Sequence, residues 1–190
     1  MLSKPAEMHI PDGFLSVGVS IALWIVALVF IAISLRKVNQ TLGERQVPLM
    51  GVLAACIFAG QMLNFTVAGG TSGHLMGAAL ATILIGPWAS ILVMTCVVGA
   101  QALLFQDGGL LALGGNIVNM GIIGSFVSYG IFTVVKRLAG ERRVGVFLSG
   151  FTAGWTSIVV AALAVALQLA ASGTTTANIA VPTMGVVHML

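Results

Sequence analysis

From Phe14 to Leu35 the chain carries no charged side chain. About 20 apolar residues cross roughly 30 Å of hydrocarbon, so this stretch alone is long enough to span a bilayer. It is not an isolated run. The 190 residues hold 8 Lys and Arg and 5 Asp and Glu. That is 7% of the chain, against about 25% in a water-soluble domain. Such a chain cannot clothe a water-facing surface. A soluble enzyme, a disordered regulator and a nucleic-acid binder are excluded, and the solvent of this domain is lipid. Cys56 and Cys96 lie inside apolar runs and read as small packing residues, not as a disulfide or a metal finger.

The remaining apolar runs are cut by glycine, proline and charge. The second is Val47 to Val67, with Pro48 tolerated in its first turn. The third, Leu75 to Ile85, is short and ends at Gly86-Pro87. It is either a helix lengthened into the preceding loop or a re-entrant piece buried by its neighbours. Trp88 to Phe105, Ile117 to Val135 and Val144 to Ala171 follow, and a seventh run opens near Thr183. The expected fold is an all-α, polytopic transmembrane helix bundle with six full segments and the start of a seventh. Charge orients it. Arg36, Lys37 and Arg45 follow the first segment; Lys136, Arg137, Arg142 and Arg143 follow the fifth. Basic loops stay in the cytoplasm. The two loops share a face only if the short third segment crosses, and the N-terminus is then outside.

This topology places His9, His74 and His188 at the outer face, with Asp12, Asp107 and the Gly- and Asn-rich loops. Neutral imidazole is a common metal ligand; the plainer reading is three hydrogen-bonded interface histidines. There is no i, i+4 His pair of the zincin type and no phosphate loop for ATP hydrolysis. Gly70-Thr71-Ser72-Gly73 also matches the nucleophile loop of an intramembrane serine protease, with Ser72 as nucleophile and His188 as base. The simpler account is that glycines turn the loop, while Ser72 caps the third helix and aims His74. Polar groups within spans need partners. Asn64, beside Gln61, and Asn116, beside Asn119, read equally as groups that orient the imidazoles and as interhelical hydrogen bonders. For Gln101 and Gln168 the second reading is favoured. His188 is a further orienting candidate, and the loop from Gln106 to Gly115 a candidate lid.

The string Met8-His9-Ile10-Pro11-Asp12-Gly13-Phe14-Leu15 resembles the opening of the substrate-binding membrane subunits of cobalt and nickel energy-coupling-factor transporters. The likeness continues in Gly70-Thr71-Ser72-Gly73-His74-Leu75, in Gly86-Pro87-Trp88-Ala89, in Gln101 to Gly109 and in Ala112 to Asn116. Five motifs in order are far more specific than one, and the chain is identified as a member of that family. The resemblance implies a metal held by nitrogen: the amine of Met8 as the mature N-terminus, the amide and imidazole of His9, and the imidazole of His74. An amine, the next amide and its imidazole close two fused chelate rings. Four coplanar nitrogens suit Ni(II) or Cu(II), and affinity falls with acid because the ligands must lose protons.

The resemblance also implies function and company. Co(II) or Ni(II) is captured as substrate at the extracytoplasmic face of a bacterial or archaeal cytoplasmic membrane, with no resident cofactor. Energy comes from partners: a transmembrane coupling subunit and two ATPase subunits, with a small accessory membrane subunit as a further candidate. Ala55 and Ala59 are the small pair expected to meet the coupling subunit. A stand-alone secondary transporter is the other alternative, without the internal repeats or charged midplane residues it usually shows. Two departures bear on the site. Met1 to Glu7 precede Met8, so residues 1–7 are expected to be absent or trimmed in the functional protein, leaving 8–190 as a single transmembrane metal-binding domain. The family's last helix continues past the position of His188, so this chain is expected to be truncated.

Overall fold

A computed structural model describes residues 9–41, 43, 46–63, 65, 66 and 72–189, the side chains of 65, 66 and 72 excepted. Met8, Asn64, Gly70 and Thr71 lie outside the described residues. The protein is a helical bundle. In chain order it contains α1 (Val17–Thr41), α2 (Gln46–Gln61), the short strands β1 (Phe65–Thr66) and β2 (Ser72–Gly73), α3 (Ala78–Ile85) and α4 (Pro87–Phe105). Next come α5 (Leu113–Asn116), a π-helical stretch (Ile117–Ile123), α6 (Gly124–Ala139), α7 (Arg143–Ala171) and α8 (Ala177–Met189).

Among the described residues, four helical runs are apolar and long enough to cross a bilayer: α1, α4, the continuous Leu113–Ala139 and α7. Their outer faces fit only a lipid solvent. Val17, Ile21, Ile25 and Leu28 of α1 are all more than half exposed, a continuous apolar stripe that water would not tolerate. The expected second segment is the shorter α2. The expected third is the eight-residue α3, preceded by non-helical chain from His74 to Gly77. At 1.5 Å per residue α3 is only about 12 Å long. Gly77 makes the entry possible: its φ is +80°, and a Cβ there would strike the Ile57 side chain.

Helix α4 is the axis of the bundle. Its Ile91, Met94, Val97 and Val98 are buried against Ala27 of α1, Ile57 of α2 and Ile117. Buried hydroxyls find partners, as they must away from water: Ser125 donates to Ser90 at 2.8 Å, and Ser90 to the Ala78 carbonyl at 3.2 Å. Gly150 and Gly154 face Ile83 and Ala79 of α3, so this small-residue pair packs the chain's own bundle. Gln168 and Asn119 exchange two amide hydrogen bonds, at 2.7 and 2.8 Å. Gln101 departs from expectation: both its amide atoms are buried without a partner among the described residues.

Several element boundaries differ from the reading of the sequence: α2 ends at Gln61 and not at Val67, and the fifth run is helical from Leu113 to Ala139. Helix α1 continues through Arg36 and Lys37 to Thr41, because these residues are good helix formers and no breaker precedes Gly43. Helix α8 opens at Ala177, before Pro182; a proline within a membrane helix is tolerated where neighbours satisfy the freed carbonyl. The N-cap position of helix α3 is Gly77 and not Ser72. Ser72 belongs instead to the β1–β2 ladder, where Thr66 pairs with Ser72 and Phe65 with Gly73.

Candidate metal centre

The chain from His9 to Ser16 precedes α1 and has no regular structure of its own. Its shape is imposed by the loop after α4. Asn116 clamps Ile10 from both sides: the Ile10 N–H donates to Asn116 Oδ1 at 3.0 Å, and Asn116 Nδ2 donates to the Ile10 carbonyl at 3.1 Å. The Gly109 N–H adds a third bond to that carbonyl, at 3.0 Å. The Asp12 carboxylate accepts from the backbone N–H groups of Leu110, Leu111 and Ala112 at 3.1, 2.9 and 3.0 Å. Those donors precede α5, where helix-start N–H groups otherwise lack partners. Ile10, Leu15 and Ala112 are buried together beneath the strap against Val19, Leu23, Val165 and Leu169. Thr174 donates to the Phe14 carbonyl and ties the strap to the chain after α7.

Glycine permits this closeness. A Cβ on Gly108, at φ +91°, would sit 2.7 Å from His9 Cβ and 3.1 Å from Asn116 Nδ2; one on Gly109 would enter Asp12. The Gln106-Asp107-Gly108-Gly109 sequence is therefore a saddle for the N-terminal strap. The expected lid is a clasp: it holds the residues after His9 by their backbone.

The clasp fixes His9. Its residue is 6% exposed, and its Nδ1 lies 3.2 Å from Asp107 Oδ2. Its Nε2 is buried without a hydrogen-bond partner among the described residues. His74 comes from the other side, where the β1–β2 ladder ends, and its ring centroid is 5.6 Å from that of His9 with the planes at 53°. His74 Nδ1 is 3.1 Å from the Leu75 carbonyl. A carbonyl only accepts, so the neutral ring carries its proton on Nδ1 and leaves Nε2 unprotonated. Gln61 steadies the chain behind it, its Nε2 donating to the Met76 carbonyl at 2.9 Å. With metal–nitrogen bonds of about 2 Å, two imidazoles on one ion have centroids at most about 6.5 Å apart. The pair falls within that limit.

The structure thus brings together His9, His74 and Asn116, three residues singled out in the sequence, and adds Asp107 and Asp12. No group of three or more His, Cys, Asp and Glu side chains able to hold an ion occurs among the described residues. The donor set implied by the resemblance is of another kind, with two imidazoles and two backbone nitrogens, and one of those belongs to Met8. Asn64 and the Ser72 side chain lie outside the described residues. His188 stands apart. It is about 16 Å along α8 from Ala177, with its Nδ1 2.8 Å from the Met184 carbonyl of its own helix. The next residue's carbonyl accepts from Trp155 Nε1, midway along α7. That places His188 halfway along the bundle, away from His9 and His74. Ala55 and Ala59 lie on the exposed face of α2.

Asp12 and Asp107 were legible in the sequence as two of only five acids, both at the outer end, but their separate roles were not. Comparison with known proteins bears on the whole arrangement. The family described as "Cobalt uptake substrate-specific transmembrane region" matches residues 9–190. A Haloquadratum walsbyi protein named for metal transport is 43% identical over 160 residues, covering 84% of this chain and 71% of the relative. An Archaeoglobus fulgidus protein named for fused nickel transport is 38% identical over 185 residues; 96% of this chain matches, and it spans 60% of that longer relative. A crystal structure titled as a transition metal transporter superposes with a TM-score of 0.88 at 34% identity, covering 96% of this chain and 84% of the other.

Proposed function

Because the chain belongs to the cobalt-uptake substrate-specific transmembrane family, and is thus a multi-pass membrane component of cobalt or nickel uptake, we propose that it is the substrate-capture subunit of an ATP-driven importer of the energy-coupling-factor type. The observation that carries this reading is the buried His9 ring facing His74 at 5.6 Å beside Asp107. Co(II) or Ni(II) is bound by the amine of Met8, the amide and Nδ1 of His9 and Nε2 of His74. Closing a ring from the His9 amide requires Nδ1, the nitrogen beside Asp107. Its carboxylate therefore stands next to the bound cation and offsets its charge. The strap from Ile10 to Asp12 holds His9 in place before metal arrives, so less ordering entropy opposes binding.

The bundle crosses the membrane with six full segments and part of a seventh, N-terminus outside, and the third crossing is the His74–Gly77 chain plus α3. The positions of the basic residues support this, since Arg36, Lys37, Lys136, Arg137, Arg142 and Arg143 all lie at the end of the bundle away from His9. Capture then occurs at the extracytoplasmic face. A transmembrane coupling subunit, docked on the exposed Ala55 and Ala59, and two ATPases drive release inward.

The chelate needs a free amine at Met8. Calorimetric titration of Ni(II) and Co(II) into chains beginning at Met8 and at Met1, each checked by intact mass, tests the reading. The Met8 form binds one ion per chain and the Met1 form binds at least tenfold more weakly. Equal, high affinity in both forms sinks the four-nitrogen centre.

A further inference from the structure

At the end of the bundle opposite His9, α3 and α6 flank an open cavity of about 540 Å³. Ile83 and Phe132 supply apolar wall, Thr133 and Tyr129 supply hydroxyls, and Lys136 and Arg137 line it from the last turn of α6. Thr82 is also in its wall. This side chain is 3% exposed, lines the cavity, and leaves its Oγ1 without a hydrogen-bond partner among the described residues. A helical threonine ordinarily bonds the carbonyl of the preceding turn, and a buried hydroxyl without a partner is costly in a membrane interior. The cavity itself combines apolar sides, the hydroxyls of Tyr129 and Thr133, and cations.

We propose that this cavity binds the headgroup of an anionic phospholipid. The phosphodiester lies against Lys136 and Arg137, and the glycerol end leaves along Ile83 and Phe132 into the lipid around the bundle. Charge supports this occupant. Four cations, Lys136, Arg137, Arg142 and Arg143, stand in this connector with one acid, Glu141. Glu141 also lines the cavity, 3.4 Å from Lys136 Nζ, but its side chain is 88% exposed and in a position to swing away. Basic pockets between helices at the cytoplasmic surface are suited to anionic headgroups, and the volume is that of a small-molecule site.

The test is native mass spectrometry of the full chain in detergent, titrated with phosphatidylglycerol, with phosphatidylcholine of the same acyl chains, and with glycerol 3-phosphate. Phosphatidylglycerol is retained about tenfold better than phosphatidylcholine, and glycerol 3-phosphate is not retained. The double substitution Lys136→Gln and Arg137→Gln removes the preference, at about fivefold per charge. Arg36→Gln with Lys37→Gln, exposed cations outside the cavity, changes retention less than twofold. Equal retention of the two lipids, or equal loss in the Arg36 and Lys37 control, overturns the proposal in favour of diffuse surface charge. Binding of glycerol 3-phosphate as tight as that of the lipid overturns it in favour of a small-anion site. Unchanged lipid retention in the cavity variant, together with loss of a copurifying partner chain, gives the cavity to a protein segment instead.

Discussion

The two ends of this bundle are built by different means. At the His9 end a segment without secondary structure is held by hydrogen bonds that cross about a hundred residues of sequence: Asn116 to Ile10, Asp12 to Leu110, Leu111 and Ala112. Each involves backbone, is short, and tolerates little displacement. At the opposite end Lys136 and Glu141 meet at 3.4 Å with their side chains 38% and 88% exposed, and the cations around them act through summed charge. A directional network fixes atoms, and a field of exposed charge only biases a region. Metal chelation needs the first, since donors must sit within a few tenths of an ångström of their places. Topology and lipid contact need only the second. Substitutions should therefore act sharply and locally at one end and weakly and diffusely at the other.

The largest effect is expected from the ligands. His9→Ala or His74→Ala should lower Ni(II) affinity more than about a hundredfold, beyond the 10–100-fold typical of a supporting residue; titration calorimetry measures it. Affinity should also fall as pH is lowered, because coordinating imidazoles must be neutral and the His9 amide must lose a proton. Retention of full affinity by either alanine variant would break the assignment. Next comes Asn116→Leu. It removes the clamp on Ile10 and leaves that residue's buried N–H unmet, at a cost of about 1–3 kcal/mol. Metal affinity should fall about 10–100-fold with every ligand still present. Loss of affinity without a change in the far-ultraviolet dichroism would show that the clamp positions the site and does not merely support the fold.

Much of this contrast could be read from residue order, and part of it could not. The two basic connectors are sequence-local, so Arg36, Lys37, Lys136 and Arg137 mark one end of the bundle without any structure. His9 and His74 stood out because imidazole is scarce in so apolar a chain. The role of Asp12 was hidden, because its partners are backbone N–H groups, which every residue owns and no sequence pattern marks. Gly108 and Gly109 were legible as a break, but their use as a saddle depends on which chain lies over them. In the sequence His188 reads as near the start of the seventh run, because that run opens near Thr183. With α8 starting at Ala177, the imidazole lies about three turns into the helix, beside its own Met184 carbonyl.

Asp12→Asn sharpens the comparison further. The amide keeps one acceptor for the three N–H groups of Leu110, Leu111 and Ala112 and loses the charge that strengthens all three bonds. Metal affinity should fall about tenfold, less than for Asn116→Leu, because Ile10 remains clamped. Hydrogen exchange at Leu110 to Ala112 should accelerate while exchange in α4 is unchanged. Acceleration throughout the bundle would mean that Asp12 holds the fold and not the strap.

The smallest effect is expected from Lys136→Gln. Its partner Glu141 is almost fully in solvent, so the ion pair contributes less than about 1 kcal/mol, and salt screens most of that. Metal affinity should stay within twofold of the parent, since nothing directional connects Lys136 to the strap. Thermal stability in detergent should shift by about a degree or two at most. Glu141→Gln should be equally mild, and the double variant should be no worse than the sum, as expected for weakly coupled exposed charges. If Lys136→Gln instead weakened metal binding tenfold, the two ends would be energetically linked. The α3–α6 contact would then be the route, because α3 continues from the chain that carries His74 and ends at Gly86 in the wall of the basic cavity.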